Sequence, residues 1–446
     1  MSEVPDDAGA GVQDFRGKRV TVAGLGRFGG QIAAARWLVA QGARVLVTDR
    51  SPAEKLAESI DQLRDLPIEF RLGEHREEDF TAVDLVVASP AIPPTNEFLQ
   101  AARSANVPIT TEIRLFIERC PTTIIGVTGT KGKSTTTAML GEILRRRFTT
   151  WVGGNIGHSL LPDLDKIANS HLVVLELSSF MLEHLGQMKW SPHLAVVTMV
   201  AADHLDWHGS QEAYVRSKSN IVRFQRPEDI AVLNEEDAGA MAFAQLGPAC
   251  IVRFGVKDRR PLELLVPGRH NQSNAQAAFA AAYELGVGRD DAEEALREFR
   301  GLPHRLQLVH EQGGVRYFND SIATIPEAAI AALDSFPTKR VLQIVGGYDK
   351  GLPITTLCNA LLERAKAVLC IGATGRKLAE AMSESASPQA AAVYSCGDLQ
   401  TAVHIAKQNA APGDVILLSP GYASYDQFAN FEKRGEAFTA LAQREQ

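Results

Sequence analysis

The chain alternates between short apolar runs and longer segments in which apolar residues recur at helical spacing. Strand-like runs occur at 19–23, 45–48, 85–88, 108–110, 123–128, 172–175, 194–197, 315–318, 341–345, 367–371 and 415–418. Helical patterns follow several of these runs, for example from residue 31, at 113–117 and from residue 210. Buried strands that alternate with helices are typical of parallel sheets with crossover helices. The pattern therefore predicts an α/β fold with mainly parallel sheets.

The same pattern separates the chain into three blocks, each of which opens with a strand that leads into a glycine-containing loop. We place these blocks at residues 1–118, 119–301 and 302–446. The length of 446 residues agrees with this division, because one domain usually comprises roughly 150 residues.

Composition and charge exclude several classes of protein. Apolar residues make up 45% of the chain and charged residues 22%, as in ordinary globular proteins. The 53 acidic residues exceed the 46 basic ones, and the net charge of −7 argues against nucleic acid as a partner. No apolar stretch reaches the roughly 18 residues that a membrane span requires, so we expect no membrane partner.

The cysteines and the N-terminal segment bear on location. The five cysteines form no CxxC pair and are odd in number, which fits neither a disulfide framework nor a zinc site. Residues 1–14 contain Glu3, Asp6, Asp7 and Asp14 and no apolar run, so they are not a secretory signal. We expect a cytoplasmic, monomeric protein.

A first glycine loop, GLGRFG at 24–29, joins a predicted strand to a predicted helix, and Asp49 follows at the end of the next strand. This layout is that of dinucleotide-binding proteins. Glycines and a helix N-terminus accept any ligand with a phosphate, including a nucleotide sugar. The loop therefore leaves open NAD, a nucleotide sugar, or tight packing with no ligand.

A second glycine loop, GTKGKST at 129–135, is more informative. It joins the strand at 124–127 to a helix with apolar residues at helical spacing. Its backbone N–H groups would surround phosphates, Lys133 would reach the terminal phosphates, and Ser134 would offer its hydroxyl to Mg²⁺. Val127 stands where a Walker A loop has its first glycine, which points away from generic GTPases.

Three further segments could complete a phosphate site. Glu176 ends a strand-like run, where a carboxylate commonly supports Mg²⁺; the alternative is a surface glutamate. The segment DHLDWH at 203–208 is either a metal cluster or a polar loop in which Asp206 caps the next turn. Lys218 lies one helical turn after Tyr214, and by itself it would be an exposed helix lysine.

Together these residues resemble the Mur ligase family over nearly the whole chain. The motifs that carry the resemblance are GTKGKST at 129–135, GGNIG at 153–157, LELSSF at 175–180, DHLD at 203–206, GRHN at 268–271, LPHR at 302–305, NDS at 319–321, SP at 419–420 and DQF at 426–428. The resemblance implies three domains: an N-terminal Rossmann-like domain for a UDP-sugar, a central P-loop ATPase domain, and a C-terminal Rossmann-like domain for glutamate.

The resemblance also implies an ATP-dependent carboxylate–amine ligase of peptidoglycan precursor synthesis. ATP would phosphorylate UDP-N-acetylmuramoyl-L-alanine, and glutamate would attack the acyl phosphate. The implied ATP-binding residues are Gly129, Thr130, Lys131, Gly132, Lys133, Ser134, Thr135, Asn271, Asn274, Arg305 and Asp320. The implied UDP-sugar-binding residues are Gly26, Arg27, Phe28, Gly29, Asp49, Ser89 and Asn155.

Four residues carry the implied catalysis: Lys133, Glu176, His204 and Lys218. Ser134 and Glu176 would hold one Mg²⁺ and His204 a second. Lys218 matches the position that is carbamylated in the family, and a carbamate can ligate Mg²⁺ where an ammonium would repel it.

The glutamate-binding residues implied by the resemblance are Thr324, Lys350, Ser419 and Phe428. Two of them have structural alternatives, since TIPE at 324–327 is also a capping box and Phe428 also fits a core position. The family pattern has a lysine where Ile322 stands and a small residue where Tyr422 stands.

The missing lysine leaves two ligases that differ in the glutamate they use, with D-glutamate favoured and L-glutamate as the alternative. A folylpolyglutamate synthase would share the central chemistry but would not need the first glycine loop, and an NAD-dependent dehydrogenase would leave the second loop without a role. Lys131 replaces the common asparagine of the phosphate loop, which the backbone cradle should tolerate.

Overall fold

The computed structural model describes residues 14–26, 29–384 and 390–444. In this part of the chain the strands form three separate sheets, one within each of the three predicted blocks. This arrangement confirms the α/β class and the prevalence of parallel pairing.

The first sheet has five parallel strands in the order β3-β2-β1-β4-β5. This order matches five of the six strands in the 3-2-1-4-5-6 order of a dinucleotide-binding fold. Its strands and helices are β1 (Arg19–Ala23), α1 (Gly30–Ala40), β2 (Arg44–Asp49), α2 (Ala57–Asp61), β3 (Ile68–Leu72), α3 (Glu78–Thr81), β4 (Leu85–Ala88), α4 (Glu97–Ser104), β5 (Ile109–Thr110) and α5 (Glu112–Ile117).

The second sheet has six parallel strands in the order β11-β10-β9-β6-β8-β7. Its elements are β6 (Thr123–Thr128), α6 (Lys133–Arg145), β7 (Thr150–Gly154), β8 (Leu172–Glu176), α7 (Ser179–Gln187), β9 (Leu194–Val197), α8 (Leu205–His208), α9 (Gln211–Arg223), β10 (Ile230–Asn234), α10 (Ala238–Met241) and β11 (Cys250–Phe254). Helices α11 (Arg269–Glu284) and α12 (Arg289–Glu298) follow.

The third sheet has six strands in the order β12-β13-β17-β14-β15-β16, and only its β12–β13 pair is antiparallel in the described residues. Its elements are β12 (Gln307–Gln312), β13 (Val315–Asn319), α13 (Pro326–Leu333), β14 (Val341–Gly346), α14 (Thr355–Arg364), β15 (Ala367–Ile371), α15 (Gly372–Glu384), β16 (Ala392–Gly397), α16 (Leu399–Asn409), β17 (Val415–Leu418) and α17 (Phe431–Gln443). Short 3-10 helices lie at Ala53–Leu56, Leu161–Lys166 and Ala242–Gln245.

The described residues divide into two compact units, the first of which contains two of the three sheets. The first unit comprises the described residues up to Arg259 together with Ser273–Ala292, and the second comprises Arg260–Gln272 and the described residues from Glu293 onward. The first two sheets share one unit because a single hydrophobic cluster extends from Phe15 to Phe243. The third sheet has a separate hydrophobic cluster on each face. The domain boundaries at 118 and 301 stay predictions.

Several strands are not evident from the apolar pattern. These are β3, β7, β10, β11, β12 and β16, and all of them except β10 lie at a sheet edge. An edge strand is only half covered, so its residues mix exposed and buried positions, as the partly exposed residues of β3 and β11 do. A continuous apolar run therefore marks the central strands better than the edges.

No described helix is both long and apolar enough to cross a membrane. All five cysteines are unpaired thiols, in agreement with the prediction of no disulfide framework.

Candidate active site

The first glycine loop follows β1 and turns back to meet a carboxylate. Gly24, Gly26 and Gly29 have φ values of 79°, 55° and 80°, which side chains rarely adopt. The buried Asp49, at the end of β2, accepts a hydrogen bond from the Gly26 N–H at 3.2 Å and one from the Ser51 N–H at 2.7 Å. Asp49 therefore closes the loop.

The segment after β4 lies against the same loop. A Cβ on Gly24 would stand 3.1 Å from the Cβ of Ser89 and 3.1 Å from Cδ1 of Ile92, so a side chain there would crowd this segment. The structure thus brings together Gly24, Asp49 and Ser89 at the carboxyl edge of the first sheet. Arg27 and Phe28, predicted to bind the UDP-sugar, lie outside the described residues.

The second glycine loop connects β6 to α6 and is braced by Thr198. The Thr198 hydroxyl donates to the Lys131 carbonyl at 2.6 Å. Gly129 has φ of 150°, and any Cβ on it would collide with the Thr198 hydroxyl. Gly132 caps α6 with φ of 85° and no side-chain cap. The loop therefore presents the N-terminus of α6, as an anion site requires.

Thr198 was not singled out in the sequence. It follows β9 directly, and a threonine after a strand carries no signal of its own. Its role depends on β9 lying beside β6, which is a tertiary fact.

Asn274 lies beside this loop in the first unit. Its Oδ1 is 3.4 Å from the Thr136 hydroxyl, and a Cβ on Gly132 would overlap it. The structure thus places one of the predicted adenosine-binding residues next to the phosphate loop. Asn271, Arg305 and Asp320 belong to the second unit.

Two lysines converge on the carbonyl of Gly129. Lys133 Nζ donates to it at 3.0 Å, and Lys218 Nζ donates to it at 2.8 Å. The Lys133 ammonium also reaches the Thr130 carbonyl at 3.1 Å. The predicted phosphate lysine and the predicted carbamylation site are therefore neighbours, although 85 positions separate them in the chain.

Lys218 is buried, with 2% of its surface exposed, so the expectation of an exposed helix lysine is wrong. Burial and, to a smaller extent, the charge of Lys133 lower the pKa of its amine to about 7, against the opposing effects of Asp203 and Glu176. Its Nζ lies 4.9 Å from the centre of the Tyr214 ring. A lysine at this position is partly neutral near pH 7.

Glu176 ends β8 and is 1% exposed, so it is not a surface glutamate. Its Oε1 accepts a hydrogen bond from Asn155 Nδ2 at 2.8 Å. Its Oε2 is buried and accepts no hydrogen bond from any described residue. A buried carboxylate oxygen without a partner is costly and suits a cation. Ser134, partly buried at the start of α6, offers the hydroxyl that the same cation would need.

Asn155, which was predicted to bind the UDP-sugar, lies against Glu176 in the structure. Its N–H also donates to the Glu176 carbonyl at 2.9 Å. Both contacts follow from β7 lying beside β8 in the sheet.

His204 stands at the start of α8 in the left-handed conformation, with φ of 49°. Its ring lies 5.0 Å from the Phe180 ring and is half exposed. Asp206 does not cap a turn: α8 has no side-chain cap, and Ser210 caps α9. Nor do the histidines and aspartates of this loop form a metal cluster, because no three such groups converge anywhere in the described residues.

In the second unit, Asp320 and Ser419 are joined. The Ser419 hydroxyl donates to Asp320 Oδ2 at 2.7 Å, and the Leu306 N–H donates to Oδ1 at 3.1 Å. Burial raises the pKa of Asp320 to about 7, although both hydrogen bonds and Arg305 lower it. The structure thus pairs a predicted nucleotide-binding residue with a predicted glutamate-binding one, while Arg305 stays exposed.

The other residues predicted to bind glutamate lie in different surroundings. Thr324 does not form the capping box, because Ile325 is the N-cap of α13 and no side chain caps it. Lys350 is exposed, with Nζ 6.0 Å from the centre of the Tyr425 ring. Phe428 packs against a core cluster of the third sheet, in agreement with its structural alternative. Tyr422 is also a core residue.

A residue that sequence reasoning missed is Arg434, on α17. Its guanidinium is fully buried and donates to the Ser321 hydroxyl at 3.0 Å, the Ser321 carbonyl at 2.9 Å and the Tyr422 carbonyl at 3.0 Å. It therefore ties the segment after β13 to the segment after β17. An arginine within a polar helical stretch gives no signal of such burial.

Three mainly parallel sheets, two glycine loops, two lysines on the Gly129 carbonyl and the buried Glu176 define an α/β nucleotide-binding enzyme. Comparison with known proteins gives its family. Residues 18–111 match the family described as "Mur ligase MurD-like, N-terminal domain", residues 127–263 match "Mur ligase middle domain", and residues 304–421 match "Mur ligase, glutamate ligase domain". The chain belongs to the Mur ligase family.

Curated relatives cover almost the full chain. The UDP-N-acetylmuramoylalanine–D-glutamate ligase of Roseiflexus sp. (strain RS-1) is 42% identical, over 96% of this chain and 98% of its own. The protein of the same name from Symbiobacterium thermophilum is 38% identical, with the same coverage of 96% and 98%. Among solved structures, a UDP-N-acetylmuramoyl-L-alanyl-D-glutamate–2,6-diaminopimelate ligase is similar in fold, with a TM-score of 0.57 at 18% identity, covering 96% of this chain and 93% of that chain.

Proposed function

We propose that this chain ligates D-glutamate to UDP-N-acetylmuramoyl-L-alanine at the expense of ATP, through an acyl phosphate, in the synthesis of peptidoglycan precursors. The observation that carries the proposal is the group of Lys133, Lys218 and Glu176 around the phosphate loop. It stands in a chain 42% identical over nearly its whole length to a protein named for this reaction.

The phosphate loop binds ATP through its backbone. The N-terminus of α6 and the glycines of the loop face the phosphates, with Thr130, Lys131 and Thr135 as neighbours in the same loop. Lys133 leaves the Gly129 and Thr130 carbonyls for the β- and γ-phosphates when ATP binds. Its charge offsets the repulsion between a carboxylate and the γ-phosphate, which is the main barrier to forming the acyl phosphate.

The unpartnered Oε2 of Glu176 is an oxygen donor that suits Mg²⁺. When bound, Mg²⁺ would neutralise phosphate charge at this site. Ser134 and Glu176 would hold one ion, and His204 with Lys218 a second. Asn155 fixes the orientation of the Glu176 carboxylate through its hydrogen bond at 2.8 Å. The number of ions is part of the proposal.

The surroundings of Lys218 support its carbamylation in this proposal. Only a neutral amine attacks CO₂, and the lowered pKa of about 7 makes a large fraction of the amine neutral at that pH. The amine nitrogen bonds to the carbon of CO₂ and one proton is released, which leaves a carbamate anion that no longer repels Lys133 and supplies oxygen ligands. We propose this modified form as the active one.

In this proposal, each of the three blocks of the chain binds a different substrate. Residues 1–118 bind the UDP-sugar, with Gly26, Arg27, Phe28, Gly29, Asp49 and Ser89 around the diphosphate and uridine. Residues 119–301 bind ATP, and residues 302–446 bind glutamate through Thr324, Lys350, Ser419 and Phe428. Asn271, Asn274, Arg305 and Asp320 are assigned to adenine and ribose. Cytoplasmic location and a monomeric state remain predictions.

The alternative within this reaction is L-glutamate. It is favoured by one observation, the apolar Ile322 at a position where the family pattern has a lysine. Lys350 would then be the main cation for the glutamate carboxylates. We favour D-glutamate, the amino acid in the names of the relatives at 42% and 38% identity.

The test is phosphate release from ATP and Mg²⁺ with UDP-N-acetylmuramoyl-L-alanine and either D-glutamate, L-glutamate or no amino acid. We expect release with D-glutamate, together with a product that carries one added glutamate by mass spectrometry. Release with L-glutamate alone establishes the alternative. No release in any mixture, with ATP binding intact, overturns the ligase proposal.

A further inference from the structure

Four polar side chains that the proposed reaction does not use form a continuous hydrogen-bonded series: Glu183, Ser217, His208 and Ser179. His208 Nε2 lies 3.0 Å from the Ser179 hydroxyl, and His208 Nδ1 lies 3.4 Å from the Ser217 hydroxyl. The Ser217 hydroxyl also contacts Glu183 Oε2. Ser179 begins α7, Ser217 lies in α9 and His208 ends α8. One imidazole therefore joins three helices.

The Glu183 carboxylate determines which group donates and which accepts in each hydrogen bond of this series. A carboxylate only accepts hydrogen bonds, so Ser217 donates its single proton to Glu183, in preference to the uncharged Ala213 carbonyl at 2.9 Å. The Ser217 oxygen then accepts the Nδ1 proton of His208. Nε2 remains as an acceptor for the Ser179 hydroxyl.

This assignment requires a neutral imidazole. Burial lowers the pKa of His208 below its ordinary value; Glu183 and Asp206 raise it, while the charges of His204 and Lys218 lower it. The net direction is downward, in agreement with the hydrogen bonds that the geometry shows.

Aromatic rings hold the same imidazole from its sides. It stacks on Phe180 with ring centres 5.6 Å apart and an interplanar angle of 10°. The Trp207 ring lies 4.5 Å away and the Tyr214 ring 5.3 Å away. His208 is thus fixed both by hydrogen bonds and by packing.

The same imidazole is attached to a strained segment. His204 has φ of 49°, a conformation that costs free energy for a residue with a side chain. Helix α8 is a single turn without a side-chain cap and would not be stable alone. The N–H of His208 donates to the His204 carbonyl at 3.1 Å, so whatever holds His208 also holds His204.

We propose that His208 is a positioning residue that, through Ser179 and Ser217, keeps His204 in its left-handed conformation and so presents the His204 imidazole to a divalent cation. This inference rests on the proposed role of His204 as a cation ligand. His208 itself does not contact the cation or the substrates.

The experiment measures cation binding directly. The full chain is titrated with Mn²⁺ in the presence of a non-hydrolysable ATP analogue and UDP-N-acetylmuramoyl-L-alanine, and bound Mn²⁺ is followed by electron paramagnetic resonance. The main variant is His208→Phe, which keeps the ring against Phe180 and removes both hydrogen bonds. His208→Gln retains one donor and one acceptor. The matched control is His404→Phe, at an exposed histidine of α16.

We expect His208→Phe to weaken Mn²⁺ binding at the site that includes His204 about 10-fold, the usual effect of losing the support of a metal ligand. The KM for ATP should change less than about 2-fold, since the phosphate loop is untouched. His208→Gln should recover most of the affinity, and His404→Phe should match the wild type.

Wild-type Mn²⁺ affinity in a folded His208→Phe variant overturns the inference. So does an equal loss in the Phe and Gln variants that accompanies an equal fall in their melting temperatures, because that pattern is one of general destabilisation. If the wild type fails to ligate glutamate but His208→Phe still loses Mn²⁺, the proposed function falls and the positioning role stands.

Discussion

Lys133 and Lys218 donate hydrogen bonds to one and the same acceptor, the carbonyl oxygen of Gly129, at 3.0 Å and 2.8 Å. Two ammonium groups on one oxygen repel each other, and this repulsion adds to burial in lowering the pKa of the Lys218 amine to about 7. The arrangement keeps one lysine charged for phosphate and prepares the other for reaction with CO₂.

Replacing Lys218 tests this division of roles. We expect Lys218→Ala to lower kcat at least about 100-fold, because the ligands of a catalytic cation are lost. Short carboxylates such as formate or acetate should restore part of the rate by occupying the vacated space. Steady-state phosphate release measures both effects. The control is Arg216→Ala, at an exposed cation of the same helix. Full activity in Lys218→Ala without any carboxylate would contradict the carbamate.

The same lysine predicts a dependence on pH. Because the folded pKa of Lys218 is lowered to about 7, the neutral and reactive fraction of the amine rises as pH increases through that value. Enzyme depleted of CO₂ should therefore regain activity on addition of bicarbonate faster at pH 8 than at pH 6, once the rates are corrected for the concentration of dissolved CO₂. Equal corrected rates at the two pH values would argue against a buried, partly neutral amine.

We expect replacement of Glu176 to have opposite effects on activity and on stability. In Glu176→Gln the contact with Asn155 can persist through the amide oxygen, while the unpartnered negative charge is removed. We expect the free energy of unfolding without Mg²⁺ to rise by about 1 kcal/mol and kcat/KM for Mg-ATP to fall at least about 10-fold. Chemical denaturation and ATP kinetics measure the two. A variant that is less stable and fully active would refute the assignment.

Because the pKa of Asp320 is raised, we expect its contribution to stability to be lost as pH rises. Its folded pKa of about 7 is above the value of 3.8 for an unperturbed carboxyl, so the folded state holds the proton more tightly. This contribution is fully present below about pH 4 and is lost as pH rises through 7. Asp320→Asn should therefore show a smaller fall in melting temperature between pH 5 and pH 8 than the wild type. Identical pH profiles would show that burial does not control this carboxyl.

We expect replacement of Arg434 to reduce stability much more than replacement of the neighbouring Lys433. Arg434→Met leaves the Ser321 hydroxyl, the Ser321 carbonyl and the Tyr422 carbonyl without their buried donor. We expect a loss of about 3 kcal/mol in unfolding free energy. Lys433→Met, which removes only a surface ion pair, should leave the unfolding free energy nearly unchanged. Urea denaturation compares them, and equal losses would contradict the structural role of Arg434.

Central strands and glycine loops could be predicted from the sequence. The buried strands β1, β4, β6 and β8 are continuous apolar runs, and the loops after β1 and β6 are marked by glycines that only backbone geometry can require. Edge strands such as β3 and β11 have mixed burial and left no such mark. The order of the motifs along the chain was sufficient to predict the family.

The chemical state of the site could not be predicted in this way. Nothing local to Lys218 shows that it is buried beside Lys133, because the two lie on different helices and meet only when β6 and α9 pack in one core. The same holds for Thr198 against Gly129 and for Arg434 beneath Ser321.

The sequence by itself determined the class of fold, the central strands, the phosphate loops and the set of reactive residue types, because these depend on periodicity and on backbone freedom within a few residues. Only the tertiary structure decided which of those residues are buried, which share an acceptor and which carry an unpartnered charge. Burial and proximity shift a pKa through desolvation and through charges brought close across the chain, and neither is a property of any short segment.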